Sequence, residues 1–356
     1  MNYKKISINT ATPEKARSKV MLIYTGGTFG MTNNAAGVLV PFDFSLILEH
    51  LPTLRSLALD LTVISFEHPI DSSNVDPGHW QTLAQIIYDH YESQEGFVVL
   101  HGTDTMAFTA SALSFMLVGL AKPVIFTGAQ LPITEPRSDA RENLITSLEI
   151  AAAKLNGKPR VPEVCIYFDY ALLRGNRSRK VESQHFDAFE SENYPPLAKA
   201  GVSIDYNDAA IAHPVPDKLS IRGHFEKNVT VLKLFPGIPP EVIRSAIKTP
   251  GLKALILETY GSGNAPSDHW FIELLQLATQ QGLLILNISQ CPGGTVQQGK
   301  YETSKQLKDH GVISGEDMTF EAGITKLMLC IGTYGVEDSR KMIQCPLAGE
   351  ITATMP

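Results

Sequence analysis

The sequence predicts a two-domain α/β protein, with a larger N-terminal domain whose parallel or mixed sheet carries helices on both faces and a smaller C-terminal Rossmann-like α/β domain. Three observations predict it. Short, β-branched apolar runs alternate with longer segments of helical periodicity. Those runs are apolar on both faces, as strands buried between two helical layers require. The 356-residue length, with 44% hydrophobic and 19% charged residues, is enough for more than one core.

The first series of strands is expected at Val20–Thr25, Leu61–Phe66, Phe97–His101, Pro123–Thr127 and Val164–Phe168. The second is expected at Val229–Phe235, Ala254–Thr259 and Leu283–Ile288. Asp76-Pro77 supplies a cap and an N1 proline ahead of the helical stripe Trp80, Leu83, Ile86 and Ile87. Asp139, with Glu142 three residues later, reads as a capping box before Leu144, Leu148 and Ile150. Asp268 opens a further helix through Phe271, Leu274, Leu275 and Ala278. From about Arg174 to Asn228 the alternation stops, and Pro195, Pro196, Pro214 and Pro216 predict irregular or hairpin structure. The expected layout is a polar N-terminal tail over 1–18, a catalytic α/β domain over 19–212, a linker over 213–228 and a second α/β domain over 229–356.

Charge and composition narrow the function. A net charge of −7 opposes nucleic-acid binding, which needs a cationic face, and the densest basic run, Arg174 to Lys180, is only seven residues long. No uncharged apolar run reaches the roughly 18 residues of a membrane span. The polar N-terminus has no apolar stretch of signal-peptide length, so a cytoplasmic protein is expected. The four cysteines, Cys165, Cys291, Cys330 and Cys345, show neither disulfide nor metal-ligand spacing, and the histidines form no metal triad. No metal and no cofactor are expected.

In open parallel sheets, ligands bind beyond the carboxyl ends of the strands. The first strand ends in Tyr24-Thr25-Gly26-Gly27-Thr28-Phe29-Gly30-Met31, where paired glycines permit a sharp turn and a close backbone approach. The run lacks the dinucleotide glycine spacing and the Lys-Ser/Thr of a P-loop. On its own, Thr28 reads more readily as a packing or capping threonine than as a nucleophile. A second strand ends in His101-Gly102-Thr103-Asp104-Thr105-Met106 at a helix start. There Asp104 is either an N-cap or a carboxylate facing the cleft. Pro69-Ile70-Asp71-Ser72-Ser73-Asn74 offers hydroxyls and N–H groups suited to a carboxylate, or forms a simple turn. Within Arg174–Lys180, a lysine desolvated among arginines gives up its proton more easily and becomes a base; a solvated basic loop is the alternative.

In combination these turns resemble the bacterial-type L-asparaginase family. The Thr-Gly-Gly-Thr turn, His-Gly-Thr-Asp-Thr-Met about 75 residues later, Asp71-Ser72-Ser73, Arg174–Lys180 and Tyr260-Gly261-Ser262-Gly263-Asn264-Ala265-Pro266 carry the resemblance from about Lys19 onward. The short polar N-terminus and the run Thr105 to Phe115 are similar to the cytoplasmic (type I) branch. The resemblance implies hydrolysis of L-asparagine to L-aspartate and ammonia, without metal or cofactor. It implies Thr28 as the nucleophile that forms an acyl-enzyme, and Thr103 and Lys180, with Asp104, as the proton-handling group. Asp104 would bind the substrate α-ammonium; Ser72 and Ser73, beside Asp71, would hold the α-carboxylate. Backbone N–H groups of the Thr28 or Thr103 loop would stabilise the oxyanion.

Asn264 would reach a neighbouring subunit's site, implying a homodimer or homotetramer. The family often places a tyrosine about ten residues after the nucleophile, and Val38 stands there instead, with Tyr301 or a partner-subunit group as substitute. Arg179 and Glu258, near Cys291 in the regulatory pattern, stand where regulated relatives have a threonine and an arginine, so regulation by asparagine is expected to be lost. One alternative is a glutaminase-asparaginase, since one methylene is worth only about 1–3 kcal/mol. A tRNA amidotransferase subunit is opposed by the acidic charge and the early first strand. A nucleotide-binding sensory module lacks its phosphate motif.

Overall fold

The computed structural model describes residues 2–11, 15–33, 39–41, 51–213, 217–299 and 302–352. The chain forms two compact units, Met1–Ile221 and Arg222–Pro356. The first is built on a nine-stranded sheet. Its strands are β1 (Tyr3–Asn9), β2 (Ser18–Gly26), β3 (Leu59–Ile70), β4 (Gly96–Leu100), β5 (Val124–Thr127), β6 (Val164–Phe168), β7 (Ala171–Arg174), β8 (Ala198–Ala200) and β9 (Ile204–Tyr206). They lie in the order β1-β3-β2-β4-β5-β6-β7-β8-β9. The five central strands, β3 to β6 in that order, are parallel. Their carboxyl ends therefore open on one edge of the sheet, while antiparallel strands flank them.

Among the described residues, three helices accompany this sheet: α1 (Pro77–His90), α2 (Met106–Met116) and α3 (Ala140–Ala152). Leu144 and Leu148 of α3 share a core cluster with Val20, Leu22, Val98 and Leu100. The alternate residues Met21, Ile23, Phe97 and Val99 are equally buried, so β2 and β4 are covered on both faces as their composition requires. Full burial of each such side chain contributes about 1.5–3 kcal/mol.

Two expectations need correction. Residues 1–18 are not only a tail, because β1 pairs antiparallel with β3 from Tyr3 opposite Phe66 to Asn9 opposite Asp60. An edge strand needs few apolar groups: Ile8 rests on the core while Lys4 and Lys5 stay exposed and guard the edge. The Asp139 capping box does not form, because that carboxylate accepts from Gln130 N (3.0 Å) and Leu131 N (3.2 Å) and from the Asn143 side chain (3.3 Å) instead of the first backbone N–H groups of its helix. Glu142 takes Thr146 Oγ1 (2.8 Å) and the Tyr167 hydroxyl. Asp268 does stand at the N-cap of its helix, its carbonyl accepting from Phe271 N and Ile272 N, although its side chain makes no cap bond. Asp76 does cap α1, accepting from Gly78 N while its own N–H donates to His79 Nδ1. The proline-rich region holds the short antiparallel strands β8 and β9 and a ribbon of Arg179–Lys180 against Phe189–Glu190.

The second unit has a four-stranded parallel sheet, β10 (Val229–Lys233), β11 (Ala254–Thr259), β12 (Leu284–Ser289) and β13 (Ile313–Ser314), in chain order. Its helices are α4 (Pro240–Ile247), α5 (His269–Gln280), α6 (Glu302–Asp309) and α7 (Phe320–Met342), the last broken at Gly335 (φ 76°, ψ 173°). Phe271 and Leu275 pack on Leu255, Leu257 and Ile285, while Leu327 and Cys330 pack on Ile256 and Leu286. Among the described residues, no helix is long and apolar enough to cross a membrane.

Lys326 and Glu350, both fully buried, pair at 2.6 Å in this unit. Lys326 also donates to the Ile343 and Cys345 carbonyls, and Glu350 accepts from Leu347 N and Ala348 N. Glu350→Ala strands a buried ammonium and is expected to cost about 3–5 kcal/mol, read as a lowered denaturation midpoint. A midpoint unchanged from the parent's would show that the pair does not hold the C-terminal segment.

Candidate active site

Three chain segments meet beyond the carboxyl ends of β2, β3 and β4, and glycines permit the meeting. A β-carbon on Gly26 would lie 2.2 Å from the Ile70 carbonyl oxygen. One on Gly27 (φ 84°) would lie 2.6 Å from Gly102 Cα and N, and one on Gly102 would lie 2.6 Å from Ser72 Oγ. The residue before Thr28 is therefore packed against the residue before Thr103, which in turn abuts Ser72. Two further bonds tie the segments: Thr25 Oγ1 donates to the Leu100 carbonyl (3.0 Å), and Thr105 Oγ1 donates to the Ser72 carbonyl (2.8 Å).

Thr28 opens the single 3-10 turn Thr28–Gly30 and is exposed, while Phe29 and Gly30 are buried beneath it. The Tyr24 hydroxyl donates to the Gly30 carbonyl at 3.1 Å. Burial holds that hydroxyl well above its usual pKa, so it remains a donor. Sequence reasoning treated Tyr24 only as the end of an apolar strand; its position four residues before Thr28 was the available signal.

Asp71 caps the Ser72–Asn74 turn, its Oδ1 accepting from Ser73 N (3.0 Å) and Ser73 Oγ (2.9 Å). These bonds, the backbone one first, hold its carboxyl below the usual range. Ser72 is buried and Ser73 exposed.

Lys180 arrives from the Arg179–Lys180 ribbon and donates to Thr103 Oγ1 and to Asp104 Oδ1, each at 2.8 Å. Asp104 thus pairs with Lys180 and is not the cap of α2, whose N-cap position is Thr105. The expected crowding of Lys180 by arginines is corrected. Arg174 turns to Glu163 (2.6 Å) and the Ala210 carbonyl (3.0 Å) and lies over the Tyr194 ring. Buried Arg177 lies over the same ring. Planar guanidinium groups find a carboxylate and an aromatic face in the interior. The nearest charge to Lys180 is consequently negative.

One unit of the protein thus brings together Thr28, Asp71, Ser72, Ser73, Thr103, Asp104 and Lys180. The arrangement supplies two hydroxyls, an ammonium in contact with one of them, a carboxylate and a short hydroxyl-bearing loop. That chemistry suits acyl transfer with local proton movement on a small zwitterion. Asn264 lies in the second unit, where its backbone bridges Tyr260. Arg179 and Glu258 belong to different units, and Cys291 is exposed. Val38 and Tyr301 lie outside the described residues. Among the described residues, no group of three or more His, Cys, Asp or Glu is placed to hold a metal ion.

Residues 19–212 match the family described as Asparaginase, N-terminal, and residues 228–343 match the Glutaminase/Asparaginase C-terminal domain. The chain is 40% identical to L-asparaginase 1 of Escherichia coli (strain K12) over 339 residues, covering 94% of this chain and 98% of that protein. The crystal structure of L-asparaginase I from Vibrio cholerae matches with a TM-score of 0.86 and 37% identity, covering 95% of this chain and 100% of that one. The thermostable L-asparaginase from Thermococcus kodakarensis also matches with a TM-score of 0.86, at 31% identity over 94% of this chain and 100% of that one. The two-domain α/β architecture is the one these structures have.

Proposed function

Because the chain belongs to the asparaginase family, we propose that Thr28 attacks the side-chain amide of L-asparagine and carries the acyl group until water releases L-aspartate. The protein is an L-asparagine amidohydrolase acting on a small-molecule substrate. The observation that carries the division of roles is the Thr103–Lys180–Asp104 unit, on a turn whose Gly102 abuts Gly27.

A threonine hydroxyl is a weak nucleophile and needs a neighbouring base. In the first half, Thr28 Oγ1 bonds to the amide carbon. Backbone N–H groups of the Thr28 or Thr103 loop hold the oxyanion, and the C–N bond breaks as nitrogen takes the proton that Thr28 gives up, passed through Thr103 and Lys180. In the second half the same pair removes a proton from water, whose oxygen replaces Thr28 Oγ1 on the acyl carbon, and returns that proton to the departing Thr28 oxygen. Asp104 takes the α-ammonium, while Ser72 and Ser73, shaped by Asp71, take the α-carboxylate. A substrate ammonium at Asp104 would share that carboxylate with Lys180.

The remaining roles are that Asn264 reaches a neighbouring subunit's site in a cytoplasmic homodimer or homotetramer, and that no nucleic acid or membrane is a partner. The changed pair Arg179 and Glu258 is expected to give hyperbolic asparagine kinetics. Ammonia release measured on L-asparagine, L-glutamine and their D-isomers tests the substrate reading. L-Asparagine is expected to exceed L-glutamine in kcat/KM by about tenfold or more, the value of one methylene. Both D-isomers should be poorer still. Equal turnover of L-glutamine would favour the glutaminase-asparaginase alternative.

A further inference from the structure

A buried polar chain runs behind the Gly102–Thr103 turn. Trp80 Nε1 of α1 donates to Thr109 Oγ1 of α2 at 3.2 Å, Thr109 Oγ1 lies 3.0 Å from His101 Nε2, and His101 Nδ1 lies 2.7 Å from the Gly102 carbonyl oxygen. All three side chains are buried, Thr109 completely. Chemistry assigns the protons. A carbonyl oxygen only accepts, so Nδ1 carries hydrogen. Burial pushes the imidazole down to about 4, outweighing the upward pull of its bond to Gly102, and His79 lowers it further. The ring is therefore neutral and Nε2 is an acceptor. Thr109 must donate to it, and the Thr109 lone pair is left for Trp80. The competing acceptor for the Thr109 proton, the Thr105 carbonyl, is more distant at 3.3 Å.

We propose that His101 is a positioning residue for the reaction: held as its Nδ1–H tautomer by Thr109 and Trp80, it clamps the Gly102–Thr103 peptide and so sets where Thr103 presents its hydroxyl. This rests on the reading of Thr103 as a proton-handling group. In a trans peptide the Thr103 N–H points opposite to the Gly102 carbonyl, so the same clamp aims that N–H away from the imidazole. Gly102 meets Gly27 on one side and Ser72 on another, so a rotation of this peptide is felt by all three segments of the site. Misplacement of a reacting group by about 1 Å can cost about 100-fold in rate. Trp80 belongs to the helix whose cap, Asp76, follows the Ser72–Asn74 turn, and Thr105 Oγ1 holds the Ser72 carbonyl. The relay thus joins the substrate-carboxylate loop to the proton-handling turn from behind.

The full-length enzyme tests this by tautomer and by kinetics. Nitrogen-15 NMR of histidine-labelled protein near neutral pH is expected to show His101 uncharged with its proton on Nδ1; an Nε2–H tautomer or an imidazolium overturns the inference. Thr109→Val keeps the shape and removes the donor. It is expected to lower kcat for L-asparagine about tenfold or more with KM within about threefold, and Thr109→Ser to restore kcat to within about threefold of the parent. An undiminished kcat in Thr109→Val, or an equal loss in Thr109→Ser, overturns it. If the valine variant does not fold, the parent's tautomer and the serine variant's kinetics decide. Failure of the underlying reading looks different: Thr103→Val would keep the parent's kcat for L-asparagine.

Discussion

Thr28→Ala is expected to lower kcat for L-asparagine by about 1,000-fold or more, with the circular dichroism spectrum and melting temperature unchanged. The separation of activity from stability follows from where Thr28 sits. Its side chain is exposed at the head of a single 3-10 turn, and the burial beneath it belongs to Phe29 and to Gly30 against Tyr24. Removing a hydroxyl and a methyl there opens no cavity. What is lost is the atom that would bond to the amide carbon. Thr28→Ser keeps that atom with more rotational freedom, and an intermediate rate is expected. Activity above a few per cent in Thr28→Ala would move the nucleophile to Thr103.

Gly27→Ala is expected to cost both activity and stability. The position has φ 84°, and the added β-carbon would fall 2.6 Å from Gly102 Cα and N, where only backbone can yield. A left-handed non-glycine residue costs about 1–2 kcal/mol, and overpacking typically adds about 1–3 kcal/mol. The larger effect is kinetic, because the clash drives apart the two turns that carry Thr28 and Thr103. A fall in kcat of about 100-fold is expected. Gly157→Ala is the control: φ is 79° there, but nothing lies within 4 Å of the added carbon. It carries the strain without the clash, and its melting temperature should fall while kcat does not. Equal kcat losses in the two variants would show that strain, and not the meeting of the turns, governs activity.

The central strands were legible in the sequence because burial on both faces leaves runs such as Val20–Tyr24 and Phe97–Leu100 without polar interruption. β1 was not, since an edge strand paired on one side needs only an Ile8 on the core and tolerates lysines elsewhere. The strands β7 to β9 are too short for a period to register. At the site, Gly26-Gly27 announced a close approach, but its partners, Ile70 and Gly102, are set by the sheet order and not by neighbours in sequence. Residue types alone suggested that Arg174 and Arg177 crowd Lys180. Glu163 and Tyr194 draw those guanidinium groups away, and only the tertiary fold brings Asp104 to Lys180. His101 stood in the sequence only as the last residue of a predicted strand. Its bond to Thr109 needs the first turns of α2 folded, and Trp80 joins from a different helix.

Acid quench during a single turnover of L-asparagine, followed by peptide mass mapping, tests the assignment of roles most directly. The predicted result is an aspartyl ester on the peptide bearing Thr28 and none on that bearing Thr103, the ester rising before aspartate appears and decaying as aspartate accumulates. An ester on Thr103, or aspartate formed with neither threonine acylated at any quench time, would contradict it.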